Sequence, residues 1–321
     1  MHLAPIDIAR RGHSRGARMK MHARHGGLAT LLLTLGLAAS TCAAGAGQAP
    51  PTVTLCGWRA TPPARWEHVV WIWFENKDFG SVIGPGKAPF INRTLIPSCG
   101  LATNYHALAH PSLPNYIAAT SGLAGDALRP FASNCNAFGP CRVDAASIYG
   151  QAPSWGSYAQ SMRRPCTRGF TGAYAARHNP AVYYRELADC DRHAVKLRML
   201  ASDLDADTLP AFVTITPNMC RSMHDCSVRT GDAWLRRIIR RLTASAGYQR
   251  GTMAIVVTFD ESEDGDNHVP TIILSPSTVP GSRSSVRFTH YSLLRTTEEM
   301  LGLPLLGRAP QARSMRTAFN L

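Results

Sequence analysis

The chain has 321 residues, of which 45% are hydrophobic and 17% are charged, and its formal net charge is +13. This length allows one large domain or two small ones, and the composition predicts a well-formed hydrophobic core. The sequence contains no run of 18 apolar residues, so no ordinary transmembrane span is predicted.

The N-terminal part of the sequence, residues 1–46, is predicted to be an export signal. Six basic residues precede an apolar run, residues 28–39, and small residues follow that run. This is the order of segments in a secretory leader, so we expect a secreted or periplasmic protein. Cys42 raises the alternative of a lipoprotein, although Ser40 and Thr41 before it are a poor context for lipid attachment.

A Pro-rich linker, residues 47–55, is expected to lead into a single folded domain, residues 56–321. Within that domain, residues 126–205 contain four cysteines and many Gly, Pro, Ser and Tyr residues. We interpret this segment as a disulfide-tied insertion, which could act as a lid.

The cysteine count also favours export. Nine cysteines are present, and eight remain when the one in the leader is set aside. An even number of cysteines in an exported chain predicts disulfide bonds. We predict two of them between close neighbours, Cys135 with Cys141 and Cys220 with Cys226. A zinc cluster is the weaker alternative, because no Cys-x-x-Cys pair occurs.

The positive charge is spread along the chain. Residues 1–46 carry a net charge of +5, which leaves +8 for the rest. A basic surface attracts anionic substrates such as phosphate esters, and it also attracts nucleic acid or anionic lipid. The alternative is an arginine-rich surface that only contacts solvent. The charges lack the interleaved aromatic residues of single-strand binders, so no nucleic-acid partner is expected.

Strand and helix patterns alternate along the domain, which predicts an α/β fold with a mostly parallel sheet. Runs of β-branched and aromatic residues predict buried strands, whereas spaced apolar residues predict helices. The predicted strands lie in residues 68–74, 211–216, 253–259 and 269–275. The predicted helices lie in residues 90–96, 112–121, 152–162 and 194–206, in a segment opened by residues 231–232, and in a final segment from residue 289 that ends at Gly302.

Oxygen-bearing side chains follow two of the predicted strands. Glu75 and Asn76 come directly after the first, and Asp260 and Glu261 come directly after the strand in residues 253–259. Ligands of open α/β sheets collect at the carboxyl ends of strands. Because both pairs lie there, we predict one divalent-metal site assembled from the two strand ends.

Ser112 begins a predicted helix, and two interpretations remain open. A serine before an apolar turn with an early proline is a helix N-terminus signal, so Ser112 could simply cap the helix. Alternatively, the positive end of the helix could hold a phosphate in front of a nucleophilic hydroxyl. A metal ion beside Ser112 would favour in-line attack on phosphorus, through a phosphoserine that water resolves.

Three histidines are candidates for further chemistry: His224, His268 and His290. Each could be an additional metal ligand, a contact to the phosphoryl oxygens, or the acid that protonates the leaving group. The alternative for each is a surface or structural histidine.

Five short motifs together resemble the bacterial and fungal phosphoesterase family of the alkaline phosphatase superfamily. That family contains acid phosphatases and phosphatidylcholine-type phospholipases C. The motifs occur in the expected order at residues 74–76 (Phe-Glu-Asn), 110–116 (His-Pro-Ser-Leu-Pro-Asn-Tyr), 258–261 (Thr-Phe-Asp-Glu), 268–270 (His-Val-Pro) and 290–296 (His-Tyr-Ser-Leu-Leu-Arg-Thr).

The resemblance implies an alkaline phosphatase-like α/β fold and a phosphoesterase catalytic domain. It implies metal ligation by Glu75, Asn76, Asp260 and Glu261, with Ser112 as both nucleophile and ligand. The identity of the metal stays open among Mg, Mn, Ca, Fe and Zn, because relatives differ at the nucleophile and at the second acid. The remaining catalytic positions follow more loosely from the same motifs and from the histidine candidates, namely Asn115, His224, His268 and His290.

The expected function is a secreted, metal-dependent phosphoric ester hydrolase of the acid-phosphatase type, a phosphomonoesterase. The chain lacks the long C-terminal extension of the family's phospholipases, and we expect the compact phosphatase branch on that basis. A phospholipase C-type phosphodiesterase is the close alternative, and an exported ligand-binding protein without turnover is an alternative from another class. A sulfatase or phosphonate hydrolase ranks low, because residues 112–116 lack the arginine of the Cys/Ser-x-Pro-x-Arg motif.

Overall fold

A central eight-stranded sheet organises the chain. In the computed structural model, which describes residues 54–321, the strand order is β5-β4-β6-β1-β7-β8-β2-β9, and β3 and β10 form a separate pair. The strands are β1 (His68–Phe74), β2 (Gly100–Ala102), β3 (Tyr105–His106), β4 (Trp155–Ala159), β5 (Ala194–Lys196), β6 (Phe212–Thr216), β7 (Met253–Phe259), β8 (Thr271–Leu274), β9 (Arg283–Ser284) and β10 (Phe288–Thr289).

Helices connect these strands. A π-helix covers Ile91–Leu95, and short 3-10 turns occur between several of the elements. The α-helices are α1 (Phe79–Val82), α2 (Ile96–Ser98), α3 (Ser112–Ser121), α4 (Ile148–Gln151), α5 (Cys190–His193), α6 (Met199–Asp205), α7 (Val228–Thr243), α8 (Ala246–Gln249), α9 (His290–Leu301) and α10 (Arg316–Phe319).

The three central strands run parallel and are buried. β1 pairs with β6 on one side and with β7 on the other, and every residue of the three strands is buried. Both faces of such a sheet are covered, which explains the continuous apolar runs in the sequence. The β8 strand is antiparallel to both of its neighbours, β7 and β2. The prediction of a mostly parallel α/β sheet is therefore confirmed.

The register of β1 and β7 determines where the polar strand ends lie. Phe74 pairs with Phe259 as the last residue of each strand. The next residues, Glu75 and Asp260, therefore leave the sheet side by side at its carboxyl edge.

Most predicted elements are found close to their predicted bounds, but the helix predicted in residues 152–162 is wrong. That segment contains β4, which lies between β5 and β6 with all five residues buried. The strand forms because it pairs with β5 and β6, a tertiary interaction that the local sequence pattern does not report. The segment 126–205 thus supplies two sheet strands, β4 and β5.

Four disulfide bonds join eight cysteines within residues 54–321. Both predicted pairs, Cys135–Cys141 and Cys220–Cys226, are confirmed. The other two bonds are Cys56–Cys99 and Cys166–Cys190. Each bond restricts the unfolded chain and thereby favours the folded state.

The predicted export signal and most of the predicted linker fall in residues 1–53, which lie outside the described residues. Within residues 54–321, no helix is long and apolar enough to span a membrane.

Glu298 on α9 is a buried acid with incomplete hydrogen bonding. Its Oε1 accepts a hydrogen bond from the Leu306 amide at 2.9 Å, but its Oε2 has no partner among the described residues. Burial raises the pKa of Glu298 to about 8, and the neighbouring Glu299 charge acts in the same direction. An acid whose pKa is raised on folding costs stability progressively as pH increases from its unfolded pKa through its folded pKa.

We therefore expect Glu298→Gln to stabilise the protein at alkaline pH. The amide oxygen can still accept from Leu306, and the cost of ionising a buried group disappears. The melting temperature at pH 8.5 should rise by roughly 3 °C, whereas the difference at pH 4.5 should be small. Thermal unfolding followed by circular dichroism at both pH values measures this. Glu299→Gln, which loses the ion pair with Arg295, is the matched control and should show no gain. An equal shift at both pH values would contradict the assignment.

Candidate active site

The five predicted metal-site residues converge at the carboxyl edge of the sheet. Glu75 and Asn76 follow β1, Asp260 and Glu261 follow β7, and Ser112 begins α3. The backbone N–H of Asn76 donates a hydrogen bond to Asp260 Oδ1 at 3.1 Å, and Ser112 Oγ donates to Glu261 Oε1 at 2.9 Å. These bonds join the two strand ends to each other and to the helix start.

Asn76 adopts an uncommon backbone conformation after β1. Its φ of 46° lies in the left-handed region, which asparagine adopts more readily than most residues. This conformation lets the Asn76 backbone bond to Asp260 while its side chain remains at the site.

Ser112 does not cap α3. Pro111 occupies the N-cap position and makes no side-chain cap bond, whereas Ser112 is the first helical residue. Its hydroxyl is nearly inaccessible and donates to Glu261. The capping interpretation is therefore not supported, and the hydroxyl is held within the acidic cluster.

Asn115 orders the loop that leads into Ser112. Its Oδ1 accepts from the amides of Leu108 and Ala109 at 2.8 and 3.0 Å, and its Nδ2 donates to the Ala109 carbonyl at 2.7 Å. Because these bonds are all to backbone, the structure gives Asn115 a positioning role beside the serine.

His110 also contacts the site. It lies in the motif at residues 110–116 and had no predicted role. Its Nδ1 lies 2.6 Å from Glu261 Oε2. Glu261 is thus held between His110 and Ser112, one partner on each carboxylate oxygen.

Two further residues, Tyr116 and His178, surround Glu75. The Tyr116 hydroxyl donates to Glu75 Oε1, and His178 Nε2 lies 3.1 Å from Glu75 Oε2 without hydrogen-bond alignment. Tyr116 is the last residue of the motif at residues 110–116, and no role was predicted for it. His178 lies in the segment 126–205, where only the tertiary fold brings the imidazole beside β1.

Burial and crowding raise the pKa of the three acids. Burial has the largest effect on Glu75, and the charge of Asp260 adds to it. Burial and the charge of Glu261 raise the pKa of Asp260 to about 7. Burial also raises the pKa of Glu261, while the hydrogen bond from Ser112 and the nearby His110 oppose that rise. Three buried carboxyl groups this close favour a cation between them.

The unpaired atoms of the site test whether a metal ion would fit. At the site, four buried side-chain atoms have no hydrogen-bond partner among the described residues: Glu75 Oε2, Asn76 Oδ1, Asp260 Oδ2 and His178 Nε2. Three are oxygens of the kind that hard divalent cations bind, and imidazole suits Zn or Fe. Within the described part of the chain, no three His, Cys, Asp or Glu side chains form a complete cluster by themselves. The donor set that fits a cation therefore also uses Asn76 and Ser112.

The three predicted histidines lie in different surroundings. His224 lines a cavity of about 380 Å³ together with Asn76, His110 and Glu261. Its Nδ1 lies 2.7 Å from Asp225 Oδ1. His224 therefore faces the same space as the acidic cluster.

His290 and His268 do not line that cavity. His290 is fully buried behind β7, with Nε2 2.7 Å from the Asp260 carbonyl and Nδ1 3.1 Å from the Tyr105 hydroxyl. Burial lowers its pKa to about 4, so the imidazole is neutral and supports the end of β7. His268 stacks on Phe79 with ring centroids 4.4 Å apart, and its Nε2 lies 3.0 Å from the Thr103 carbonyl.

Sequence comparison identifies the family. The Phosphoesterase family model matches residues 85–304. The chain belongs to this family. An acid phosphatase of Aspergillus fumigatus is 30% identical over 263 residues, which cover 74% of this chain and 55% of that protein. A phosphatidylinositol-3-phosphatase of Mycobacterium tuberculosis is 29% identical over 290 residues, which cover 86% of this chain and 89% of that protein. The chain thus spans about half the length of the fungal relative.

Structural comparison supports the predicted fold. A member of the alkaline phosphatase superfamily from Vibrio parahaemolyticus aligns with a TM-score of 0.54 at 13% identity, covering 84% of this chain and 76% of that chain. The lipoteichoic acid synthase LtaP of Listeria monocytogenes aligns with a TM-score of 0.51 at 11% identity, covering 75% and 73%. At these identities the likeness concerns the fold, which is alkaline phosphatase-like as predicted.

We expect Asp260→Asn to separate two properties of the acidic cluster: its destabilising effect on the fold and its capacity to bind a cation. In chelator-treated protein at pH 8, the variant should melt at a higher temperature than the wild type, because like-charge repulsion is removed. When Mg²⁺, Mn²⁺, Ca²⁺, Fe²⁺ and Zn²⁺ are added one at a time, an ion that binds this site should stabilise the wild type by about 2.7 kcal/mol at a hundredfold excess over its Kd. The variant should lose most of that gain.

Asp264→Asn is the matched control, since Asp264 lies on the adjacent exposed loop and does not line the cavity. It should leave the metal-dependent shift intact. A full metal-dependent shift in Asp260→Asn, measured by differential scanning calorimetry, would contradict the ligand assignment.

Proposed function

We propose that the protein is a secreted, metal-dependent phosphoric ester hydrolase, an acid-phosphatase-type phosphomonoesterase with Ser112 as its nucleophile. One observation carries the proposal. The Ser112 hydroxyl is hydrogen-bonded to Glu261 at the edge of a buried acidic cluster in which Glu75 Oε2 and Asp260 Oδ2 have no partner among the described residues. Membership of the Phosphoesterase family supports ester hydrolysis, and several relatives bear the name acid phosphatase.

Attack begins at the Ser112–Glu261 pair. The hydroxyl proton passes to Glu261 Oε1, 2.9 Å away, as Ser112 Oγ forms a bond to phosphorus. The bond from phosphorus to the leaving oxygen breaks on the opposite side. His110, on the other oxygen of Glu261, stabilises the carboxylate and holds it in the orientation for proton transfer.

The second half of the reaction regenerates the enzyme. His224 lines the same cavity and is the candidate acid that protonates the leaving oxygen in the first half. Its Nδ1 lies 2.7 Å from Asp225 Oδ1, a contact that orients the ring. A water molecule then attacks phosphorus in phosphoserine and gives its proton to the neutral His224. The Oγ–phosphorus bond breaks, and Ser112 Oγ takes back the proton held by Glu261 Oε1.

A divalent cation would be held by Glu75, Asn76, Asp260 and Ser112, with Glu261 and His178 adjacent. When bound, it would lower the pKa of the serine hydroxyl and neutralise charge on a phosphoryl oxygen. The Tyr116 hydroxyl donates to Glu75, and the Asn76 backbone amide donates to Asp260. These two bonds would orient the carboxylates toward the ion. The choice among Mg, Mn, Ca, Fe and Zn belongs to the proposal and is tested by the metal series above.

Export forms part of the proposal. Four disulfide bonds suit an oxidising compartment, and the leader-like composition of residues 1–46 agrees with it.

We expect Ser112→Ala to abolish hydrolysis of p-nitrophenyl phosphate, with kcat reduced about a thousandfold or more. Acid-quenched wild-type protein should carry one phosphoryl group on the peptide that contains Ser112, and the variant should not, as measured by mass spectrometry. Ser121→Ala is the matched control, because Ser121 lies on the same helix, is buried and bonds only within α3 and to the following turn. It should retain activity. Unchanged turnover in Ser112→Ala would remove the serine from the chemistry.

Substrate preference distinguishes the two phosphoesterase classes. We expect p-nitrophenyl phosphate to be hydrolysed with a kcat/KM at least about tenfold above that of bis(p-nitrophenyl) phosphate or phosphatidylcholine, because the small acidic cavity suits a terminal phosphoryl group. Preference for either diester would favour the phospholipase C-type phosphodiesterase. Absence of turnover on all three substrates, with retained phosphate binding, would favour an exported binding protein.

A further inference from the structure

A second cavity lies away from the candidate active site. It has a volume of about 1110 Å³ and lies between α7 and the segment from Pro89 to Ser98, with Leu55 also at its wall. Its lining residues differ from those of the acidic cavity. The volume is slightly above the range of roughly 300–1,000 Å³ that is usual for small-molecule sites.

Four arginines line this cavity: Arg93, Arg229, Arg236 and Arg240. All four are exposed, and none has an acidic partner within 4.0 Å among residues 54–321. By contrast, Arg241 on the same helix pairs with Asp205, and Arg250 after α8 pairs with Glu67 and Asp207. The arginines of the cavity therefore keep their positive charge available.

The acid that lines the cavity, Asp232, does not neutralise them. Asp232 is buried, and its two oxygens accept from the amides of Phe90 and Ile91, each at 2.9 Å. These bonds attach the π-helix segment to α7 and thereby build the cavity wall. The field in the cavity is consequently positive.

The arrangement of the lining is amphipathic. Arg229, Arg236 and Arg240 are seven and four residues apart, so they follow one side of α7. Leu55 and Phe90 line the same cavity and supply partly exposed apolar surface. An occupant that satisfies both must carry an anionic group and an apolar part.

Charge complementarity identifies the kind of occupant. The chain's own residues 1–46 have six basic residues and one acidic residue, so they would be repelled by the arginines. A fully hydrophilic polyanion would leave the apolar wall unused. We propose that this cavity binds an anionic amphiphile, with its alkyl chain along Leu55 and Phe90 and its phosphate, phosphonate or carboxylate among the arginines.

Isothermal titration of the full chain with dodecylphosphonate tests this site. The probe contains no ester bond, so the proposed hydrolase cannot consume it. We expect saturable binding with Kd on the order of micromolar. Arg236→Glu should raise Kd at least about tenfold, because it places a carboxylate beside the anionic group. Arg237→Glu, an exposed neighbour on α7 outside the cavity lining, is the matched control and should change Kd by less than about threefold.

Probe chemistry separates this site from other anion-binding surfaces. Methylphosphonate, which has no alkyl chain, and the uncharged dodecyl maltoside should each bind at least about tenfold more weakly than dodecylphosphonate. Equal effects of the two arginine variants would overturn the proposal in favour of general surface charge. Equal affinity for methylphosphonate would indicate a simple anion site. Tighter binding of polyphosphate, with no effect of alkyl length, would indicate a polyanion surface.

The same measurements distinguish this cavity from the candidate active site. Binding at the acidic cavity would be insensitive to Arg236→Glu, and that insensitivity would also overturn the proposal. The melting temperature of Arg236→Glu verifies that the fold is retained. The outcome does not depend on whether Ser112 is a nucleophile.

Discussion

The in-register pairing of β1 with β7 is the constraint on which the candidate site depends. Phe74 and Phe259 end the two strands as direct partners, so the next residues, Glu75 and Asp260, must emerge together. Both strands are buried on both faces and hydrogen-bonded along their length, which makes a register shift costly. A shift by one residue would turn every side chain of a strand to the opposite face. The core therefore maintains an acidic pair that would repel if left to itself.

The groups around the acids offset part of this repulsion. The Tyr116 hydroxyl donates to Glu75, and the Asn76 backbone amide donates to Asp260. Ser112 and His110 each contact one oxygen of Glu261. These bonds stabilise charged carboxylates, yet the pKa values of all three acids remain raised because burial outweighs the bonds. The electrostatic repulsion that these bonds do not offset is concentrated at the carboxylate atoms without partners among the described residues. A cation would be bound most favourably at those atoms.

The sequence predicted the central strands well because their signal is local. A buried parallel strand is a continuous run of apolar residues, and a polar pair directly after it marks the end of the strand. The β4 strand was missed because its five residues, Trp155–Ala159, are held by pairing with distant strands. The two short cysteine loops were predictable from spacing alone, whereas Cys56–Cys99 and Cys166–Cys190 depend on how the chain folds.

The same distinction applies to the site. Residues adjacent to strand ends were found, whereas His178 was not, because its proximity to Glu75 exists only in three dimensions. His290 and His268 were candidates because each begins an element. The structure surrounds them instead with backbone carbonyls and aromatic rings. Position along the chain indicates which element carries a histidine, but not which way its ring faces.

One chain segment links the two cavities. The Cys220–Cys226 loop carries His224 to the acidic cavity, and α7 begins directly after it with Ser227 as its N-cap. The buried face of α7 packs on the core through Trp234, Leu235 and Leu242. Since the histidine loop leads directly into the helix that carries the arginine face, that loop would connect an amphiphile bound along α7 to the acidic cavity. The disulfide closes a short loop, with a sequence separation of 6, so the loop can absorb little motion between the two cavities. Coupling between the cavities would then require α7 itself to shift against the core.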